Sequence, residues 1–514
     1  MAKPRPVGPA SPGSDFWTVM PPRALLALCV LLTILARIHL LDAPLERDEG
    51  EYAYMGQLML QGIPPYAVAA NMKFPGVSIV YALVMAVFGQ SISAVHIGLL
   101  LVNVATITLL YLLARHFYPA APSLVVAAAY AVLSSGWSVM GMWAHATHFV
   151  VLAAVAGTLL LLQWKHSVHR PTLITSGLCF GLAILMKQHG MFFAAFAIGY
   201  LLTLRRPKDA ALLAAAVAAP FALLCAALAH AGVFDKFWFW TFQYARQYAT
   251  ATPLSAGIKV LVDSIRYITL ANWILWLLAA AGLFLLGREK RYFLLLFLAV
   301  SFLAVCPGFY FRDHYFILLL PAVALAIGAV AKPGWPLWAV TACVLFSIFE
   351  QREFLFQSNP VMATAAIYGA NPFPEAVEFG NFLRANSQAA DRIAVLGSEP
   401  EILFYAGRQS ATPYIYTYPL MEAHPFARKM QEDFVRDMES AKPKFAVMVN
   451  VASSWLVAPD SPKVLLDWWA STGIKNYQQV GVADILPAGT HYDWSPSYRP
   501  RSTSHLILLR RKTN

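Results

Sequence analysis

The sequence predicts a polytopic α-helical membrane protein of about eleven spans, followed by a soluble α/β domain at the C-terminus. Of the 514 residues, 59% are hydrophobic, and the mean hydropathy is +0.56. Only 13% of the residues are charged, whereas an ordinary soluble domain has roughly a quarter. Apolar runs recur from residue 22 to residue 349, and their length of about 15–22 residues is close to what a bilayer-spanning helix needs.

The charge and the cysteine content narrow the class of protein further. The net charge is +11, but Lys and Arg accumulate in the cytoplasmic loops of membrane proteins, so we expect no nucleic-acid partner. The five cysteines lie in or beside apolar runs, and no two of them have the spacing of metal ligands. We interpret them as small packing residues.

The membrane region is expected to cover 22–349, behind a disordered cytoplasmic tail at 1–21 that is rich in Pro, Gly and Ser. No small-residue cleavage site follows the first apolar run, so we expect this run to be retained as a helix. The predicted spans are 22–41, 93–114, 120–136, 146–164, 172–187, 189–204, 209–231, 272–287, 291–306, 314–331 and 336–349.

The short apolar run at 74–89 decides the predicted orientation. If it does not cross, every short basic loop, including those with Arg115, Arg170 and Lys208, falls on the same side as the basic N-terminal tail. A crossing would invert all of these loops, against the rule that basic loops are cytoplasmic. We therefore expect 74–89 to lie in the interface, the N-terminus to be cytoplasmic and the C-terminus to be outside.

Two long loops, at 42–92 and 232–271, then lie on the outer face. The second contains the aromatic run Phe237-Trp238-Phe239-Trp240, which is typical of an interfacial helix at headgroup depth. After residue 350, charges become frequent and apolar runs shorten. We expect 350–514 to form a soluble α/β domain on the outer face.

Within this domain, short apolar runs predict buried strands and longer periodic runs predict helices. The strands are expected at 392–397, 445–450 and 505–510, and the helices at 375–386 and 424–440.

The stretch Leu45-Glu46-Arg47-Asp48-Glu49-Gly50-Glu51 concentrates acids just after the first span. Acids at a membrane edge lose hydration, so they need a reason to be there. Asp48 and Glu49 are the candidate catalytic residues, because a buried carboxylate can act as a general base or hold a divalent cation. The alternative is a solvated loop or an N-cap, which would explain Asp48 but not the whole cluster.

His145 and His148 form a second candidate group, at the outer end of a predicted span. An i, i+3 spacing on a helix puts both rings on one face, and beside carboxylates such a pair can bind zinc or another metal. The pair makes a divalent metal ion a candidate cofactor without requiring one. Interfacial polar anchoring is the alternative explanation.

Four further residues in outer loops are candidates for binding a phosphate group. Lys187 lies between two apolar runs, where a snorkelling lysine at a tight turn is the alternative. Arg312 and His314 belong to Arg312-Asp313-His314-Tyr315, for which a loop ion pair is the alternative. Lys73, in the first outer loop, is a weaker cationic candidate.

These acids, imidazoles and cations come from separate outer loops, yet all can reach one surface at one depth. Together they suit the transfer of a group that is carried on a phosphate. A carboxylate would take the acceptor's proton, while cations or a metal would stabilise the phosphate leaving group.

The run Arg47-Asp48-Glu49-Gly50-Glu51-Tyr52-Ala53-Tyr54, followed by Gly62-Ile63-Pro64-Pro65-Tyr66 and Lys73-Phe74-Pro75-Gly76, resembles the C-fold glycosyltransferases. These are integral membrane enzymes that use polyprenyl-phosphate sugars. The most similar members are the bacterial relatives of protein O-mannosyltransferases, the lipid A aminoarabinose transferase and the lipopolysaccharide galacturonosyltransferases. The resemblance covers roughly 20–335.

The resemblance implies a catalytic or metal-associated role for Asp48, with Glu49 beside it, and interfacial helices in the first outer loop. It implies a bacterial inner-membrane enzyme whose active site and C-terminal domain face the periplasm. Such an enzyme moves a sugar from a polyprenyl-phosphate donor to a hydroxyl of a lipid, glycan or protein acceptor, with inversion at the anomeric carbon. Many relatives have an acidic residue where this chain has His145 to His148.

Two other functions stay open. A transporter or flippase of a lipid-linked saccharide would place ionisable groups or broken helices at the bilayer midplane, whereas here they gather at one edge. A non-catalytic scaffold or sensor that acts through the C-terminal domain is disfavoured by the acid cluster.

Overall fold

The computed structural model describes residues 21–512. The disordered tail predicted at 1–21 therefore lies outside the described residues, apart from its last residue. The described chain is mostly helical and ends in a small mixed sheet.

A helical region occupies the chain up to residue 350. Each predicted span has a helix at the same place in the sequence, with ends that differ by a few residues. The largest difference is at 314–331, where a 3₁₀ segment, Asp313–Leu318, precedes a short helix. The helices are α1 (Pro22–Ile38), α2 (Arg47–Leu60), α3 (Gly76–Phe88), α4 (Ile92–Ala114), α5 (Ala120–Ser135), α6 (Ala146–Ser167), α7 (Arg170–Met186), α8 (Met191–Thr203), α9 (Pro207–His230), α10 (Phe234–Trp238), α11 (Ala245–Ala249), α12 (Leu254–Leu270), α13 (Trp273–Leu285), α14 (Arg288–Val305), α15 (Leu320–Gly328) and α16 (Trp335–Glu350).

Length and composition alone identify fewer spans than the sequence predicts. In the described chain, α4, α6 and α9 are each long and apolar enough to cross a membrane. The bent pair of α12 and α13, with 104° between its helices, raises the number from three to four if it counts as one span. Most of the other apolar helices are shorter, so the total of about eleven spans stays a prediction.

The helix at the apolar run 74–89, which the sequence predicts not to cross the membrane, is short. Helix α3 has 13 residues, which gives a length of about 20 Å at the usual rise per residue, against a hydrocarbon core of about 30 Å. Its outward-facing side chains are apolar, with Leu83 and Val87 exposed. Helices α8 and α13, at two of the predicted spans, also have 13 residues each, so the interfacial position of α3 stays a prediction.

Glycines allow the helices of the bundle to approach closely. A Cβ added to Gly282 of α13 would lie 1.9 Å from the carbonyl oxygen of Ala326 in α15. A Cβ added to Gly177 of α7 would lie 2.5 Å from the Cβ of Ala216 in α9. Small residues at such contacts are typical of helix packing in membranes, where close backbone approach replaces the hydrophobic effect.

The C-terminal region combines short helices with a five-stranded sheet of order β1-β2-β5-β3-β4. Strands β1 and β2 are parallel, and the other neighbouring pairs are antiparallel. The elements are α17 (Arg352–Phe356), α18 (Pro360–Tyr368), α19 (Phe373–Asn386), β1 (Ile393–Leu396), α20 (Pro400–Ala406), α21 (Tyr418–Met421), α22 (Ala427–Ala441), β2 (Phe445–Asn450), α23 (Ala452–Trp455), α24 (Val464–Trp468), β3 (Tyr477–Leu486), β4 (Gly489–Asp493) and β5 (His505–Arg511).

The sequence predicts three of these strands and misses β3 and β4. Strand β3 contains Gln478, Gln479 and Gly481, and its pairing with β5 shifts register between Gln479 and Gly481. Strand β4 lies at the edge and pairs only with β3 among the described strands. Polar residues and glycine weaken the apolar pattern on which strand prediction depends.

The C-terminal region packs directly against helix α2, which carries the acid cluster. One hydrophobic core contains Tyr54 and Val77 from the membrane region together with Phe379 and Val447 from the C-terminal region. A Cβ added to Gly50 of α2 would lie 2.5 Å from the Cβ of Glu401 in α20. The glycine therefore permits the contact between the two helices.

We expect Gly50→Ala to destabilise this contact, because the added methyl would overpack it at a cost of about 1–3 kcal/mol. Thermal unfolding of the detergent-solubilised protein should show a melting temperature lower than that of the wild type. The matched control is Gly199→Ala in α8, where an added Cβ meets nothing within 4 Å. Equal melting temperatures for wild type and Gly50→Ala would mean that α20 is not pressed onto α2.

Candidate active site

Helix α2 begins with a reciprocal cap that fixes the acid cluster. The Glu46 carboxylate accepts from the Glu49 N–H at 3.0 Å, and the Glu49 carboxylate accepts from the Glu46 N–H at 3.1 Å. This arrangement is a capping box, with Glu46 as the N-cap. Part of the acid cluster is thus structural, and the capping residue is Glu46 rather than Asp48.

Glu49 is fully buried and committed to structural contacts. Besides the cap, its Oε1 lies 3.1 Å from Nε2 of His96 and accepts a short hydrogen bond from the Ala144 N–H. These bonds tie α2 to α4 and to the segment before α6. The placement supports a positioning role for Glu49 rather than the predicted catalytic one.

Asp48 is partly accessible to solvent, with 29% of its side chain exposed. Its Oδ1 accepts from Lys73 Nζ at 2.8 Å, and the same ammonium lies 2.6 Å from Glu51 Oε2. Burial would raise the pKa of Asp48, but the charge and hydrogen bond of Lys73 outweigh it, so this pKa lies well below its usual value. Asp48 is therefore ionised at neutral pH.

Lys73 is less available for a phosphate than the sequence suggests. Burial would lower the pKa of its ammonium, but Asp48 and Glu51 raise that pKa well above the usual value. One cation shared by two carboxylates carries no spare positive charge. The placement supports a role for Lys73 in orienting Asp48, in place of the predicted contact with a donor phosphate.

Asp48, His145 and His314 come together, although they lie far apart in the chain. One ligand atom from each residue lies within 4.8 Å of the other two. The two imidazole rings stack, with centroids 4.1 Å apart and planes inclined by 8°. Two imidazoles and one carboxylate form the kind of ligand set that holds a divalent metal with one position open.

The state of His145 fits such a ligand. The Nδ1 atom of His145 lies 3.4 Å from Glu46 Oε1, but it is buried and has no hydrogen-bond partner among the described residues. The Nε2 atom lies 3.2 Å from the Tyr368 hydroxyl. Burial lowers the pKa of His145 to about 4, which keeps the imidazole neutral, as metal binding requires.

His148 does not belong to this group, which corrects the predicted pairing of His145 with His148. His145 is the N-cap of α6 with an extended ψ of 147°, so it precedes the helix. The i, i+3 rule applies only within a helix. His148 is 1% exposed, and both of its ring nitrogens lack partners among the described residues.

Lys187 and Arg312 supply positive charge to the candidate site. Lys187 is 8% exposed, and its Nζ lies 3.7 Å from the centroid of the Tyr315 ring. Burial lowers the pKa of Lys187 to about 7, although nearby Asp48 partly offsets this effect. Arg312 is exposed and lies 5.8 Å from the Tyr310 ring centroid. Within residues 21–512, neither cation forms an ion pair with a carboxylate.

A buried arginine holds the segment that leads to His145. Arg37 of α1 is 4% exposed, and its Nη2 donates to the Gly141 carbonyl oxygen at 2.9 Å and to that of Ser134 at 3.2 Å. The Gly141 carbonyl belongs to the break between α5 and α6, and the Ser134 carbonyl belongs to the last turn of α5. Arg37 thus satisfies backbone groups that a helix would otherwise satisfy.

Sequence reasoning missed the site residues of the C-terminal region. Tyr416 donates to Glu51 Oε2 at 2.6 Å, across 365 positions of sequence. Tyr418 stacks against Tyr416, with centroids 5.7 Å apart and planes inclined by 8°. No motif marks these tyrosines, whereas Glu51 lies within the acidic run and was noticeable there.

We expect the purified protein to bind one Zn²⁺ or Mn²⁺ ion through Asp48, His145 and His314. Calorimetric titration of metal-free protein should show this site in the wild type and its loss in His145→Ala and His314→Ala. His148→Ala is the matched control and should bind normally. Equal metal binding by all four proteins would exclude these imidazoles as ligands.

One family model and several solved structures are similar to the chain. The model of the dolichyl-phosphate-mannose-protein mannosyltransferases matches residues 72–232. ArnT from Cupriavidus metallidurans, bound to undecaprenyl phosphate, is 13% identical and aligns over 96% of this chain and 98% of its own, with a TM-score of 0.63. No curated protein sequence matches the chain significantly.

An archaeal enzyme shows the same likeness. The oligosaccharyltransferase AglB from Archaeoglobus fulgidus, in complex with an inhibitory peptide and a dolichol-phosphate, is 13% identical and aligns over 95% of this chain and 75% of its own, with a TM-score of 0.52. Both alignments extend over nearly the whole chain. The chain therefore has the fold of the C-fold integral membrane glycosyltransferases.

Proposed function

We propose that the protein transfers a sugar from a polyprenyl-phosphate donor to a hydroxyl group of an acceptor. The observation that carries this proposal is a cluster in which the carboxylate of Asp48 lies close to two cations, Lys187 and Arg312, that form no ion pair with a carboxylate among the described residues. The similar structures with undecaprenyl phosphate and dolichol-phosphate support the donor class. The match to the mannosyltransferase model supports the reaction class.

Lys187 and Arg312 would bind the donor phosphate. The bond from the anomeric carbon to the phosphate oxygen breaks, and the leaving phosphate gains negative charge, which these cations stabilise. The His314 ring lies 4.9 Å from that of Tyr315, which Lys187 also contacts, so we place His314 at the same phosphate site. A guanidinium can bind two phosphate oxygens at once, whereas an ammonium acts as a point charge.

Asp48 would accept the proton of the acceptor hydroxyl while that oxygen attacks the anomeric carbon from the opposite side, which inverts its configuration. The low pKa of Asp48 makes it a weak base. Stabilisation of the leaving phosphate therefore has to supply a large share of the rate. A divalent metal held by Asp48, His145 and His314 would add Lewis-acid stabilisation of negative charge.

The alternative of a transporter or flippase is less well supported. Transporters concentrate ionisable groups near the bilayer midplane. Here the candidate residues lie in the first turn of α2, in the loop before α3, in the breaks before α6 and α8, and at or just before the start of the 3₁₀ segment that precedes α15. We propose that this end of the bundle, and the C-terminal domain on it, face the periplasm of a bacterial inner membrane. The acceptor would be a lipid, a glycan or a protein on that face.

Asp48→Asn should reduce transfer by about 10²-fold or more, the share that a positioned general base commonly supplies. The measurement is release of labelled sugar from a polyprenyl-phosphate donor by reconstituted protein. The control is Asp235→Asn, which changes an acidic residue of α10 outside the candidate site and should keep full activity. Undiminished transfer by Asp48→Asn would remove this residue from the mechanism, and movement of intact donor lipid without bond cleavage would favour transport.

Donor binding should weaken as pH rises through 7, because the pKa of Lys187 in the free site is about 7 and only the protonated form is cationic. The donor KM should therefore rise on the alkaline side. Lys187→Arg keeps its charge throughout this range and should have a KM that is nearly independent of pH. Lys259→Arg on α12 is the control, with the wild-type dependence. A wild-type KM that stays constant across neutral pH would contradict the assignment.

A further inference from the structure

The C-terminal domain reaches into the candidate active site through Tyr416. The Tyr416 hydroxyl lies 2.6 Å from Glu51 Oε2 and 3.0 Å from the Arg47 carbonyl oxygen. A hydroxyl has one proton to donate, and a carboxylate is the stronger acceptor. The hydroxyl therefore binds Glu51 as a donor.

Glu51 depends on this hydrogen bond. Its side chain is fully buried, and Oε2 accepts from both Lys73 and Tyr416. The other oxygen, Oε1, is buried without a partner among the described residues. A buried carboxylate is costly unless it is paired and hydrogen-bonded, so these two donors keep Glu51 in its place.

The contacts continue from Glu51 through Lys73 to Asp48. Lys73 Nζ lies 2.6 Å from Glu51 Oε2 and 2.8 Å from Asp48 Oδ1. A displacement of Glu51 would draw the ammonium away from Asp48 or leave it with a single carboxylate. The orientation of Asp48 thus depends on a hydroxyl that lies on the other domain.

We propose that Tyr416 is a positioning residue for sugar transfer, acting on Asp48 through Glu51 and Lys73. This inference rests on the proposed function, and it assigns to the C-terminal domain a direct part in the reaction. Tyr416 does not touch the reacting atoms in this scheme. Its effect passes through the two charged residues.

The position of Tyr416 is itself well fixed. Its ring stacks on Tyr418, whose hydroxyl donates to the Ser453 carbonyl oxygen at 2.6 Å. Close by, Arg47 of α2 donates to the Ser398 carbonyl oxygen at 2.6 Å and pairs with Glu399 at 2.8 Å. These contacts hold the Tyr416 hydroxyl in place on the domain surface, as a positioning residue requires.

A double-mutant cycle on reconstituted full-length protein tests the proposal. Tyr416→Phe should lower kcat about tenfold, the typical effect of losing one hydrogen bond to a charged group, with donor KM within about twofold because Lys187 and Arg312 are untouched. Glu51→Gln should also lower kcat. If Tyr416 acts through Glu51, the double variant should be no slower than Glu51→Gln alone.

Two further tyrosines serve as controls. Tyr405→Phe removes the hydroxyl that accepts from the Leu45 N–H at 2.9 Å. This contact joins the same two domains but does not involve Glu51. Any fold reduction in kcat that Tyr405→Phe causes should therefore multiply with the reduction caused by Glu51→Gln. Tyr414, in the same segment as Tyr416, makes no hydrogen bond through its hydroxyl within residues 21–512. Tyr414→Phe should therefore keep the wild-type rate.

Either of two results would overturn the positioning role. One is a wild-type kcat in Tyr416→Phe, and the other is a double variant whose fold reduction in kcat equals the product of the two single reductions. These results leave the proposed function intact as long as Asp48→Asn is inactive. Full transfer by Asp48→Asn would instead overturn the proposed function itself. The two failures are therefore distinguishable.

Discussion

The ion pairs of one buried lysine hold the candidate active site together. Lys73 lies between Asp48 and Glu51, and all three side chains are largely removed from water. Burying charges costs several kcal/mol per ion unless their contacts are close and complete. Helix α2 supplies both carboxylates and the loop before α3 supplies the ammonium, so these elements must stay in register for the site to exist. The other contacts of α2 serve this requirement.

The C-terminal domain and the membrane region form one structural unit at this point. Gly50 allows α20 to approach α2, and Arg47 is fixed by the backbone and a carboxylate of the loop after β1. The domain therefore covers part of the helix that carries Asp48.

Much of the helical fold could be predicted from the sequence, because apolar runs of suitable length predict membrane helices without any tertiary information. Asp48, Lys187, Arg312 and His314 were also singled out from the sequence, since charges at the ends of apolar runs are conspicuous, and their roles stay proposals. The stacking of His145 on His314 was not predicted, because the spacing rule applies only within a helix and His145 precedes one. Tyr416 gave no signal, since its importance arises from a contact across most of the chain.

The long sequence separation between Glu51 and Tyr416 has a consequence for biosynthesis. When the ribosome has completed α16, the apolar segments are available for insertion, but the segment with Tyr416 has not yet been translated. Lys73 and Asp48 can then meet, while Glu51 still lacks its second hydrogen-bond donor. The hydrogen bonds around Glu51 can therefore be completed only after translation and folding of the last part of the polypeptide.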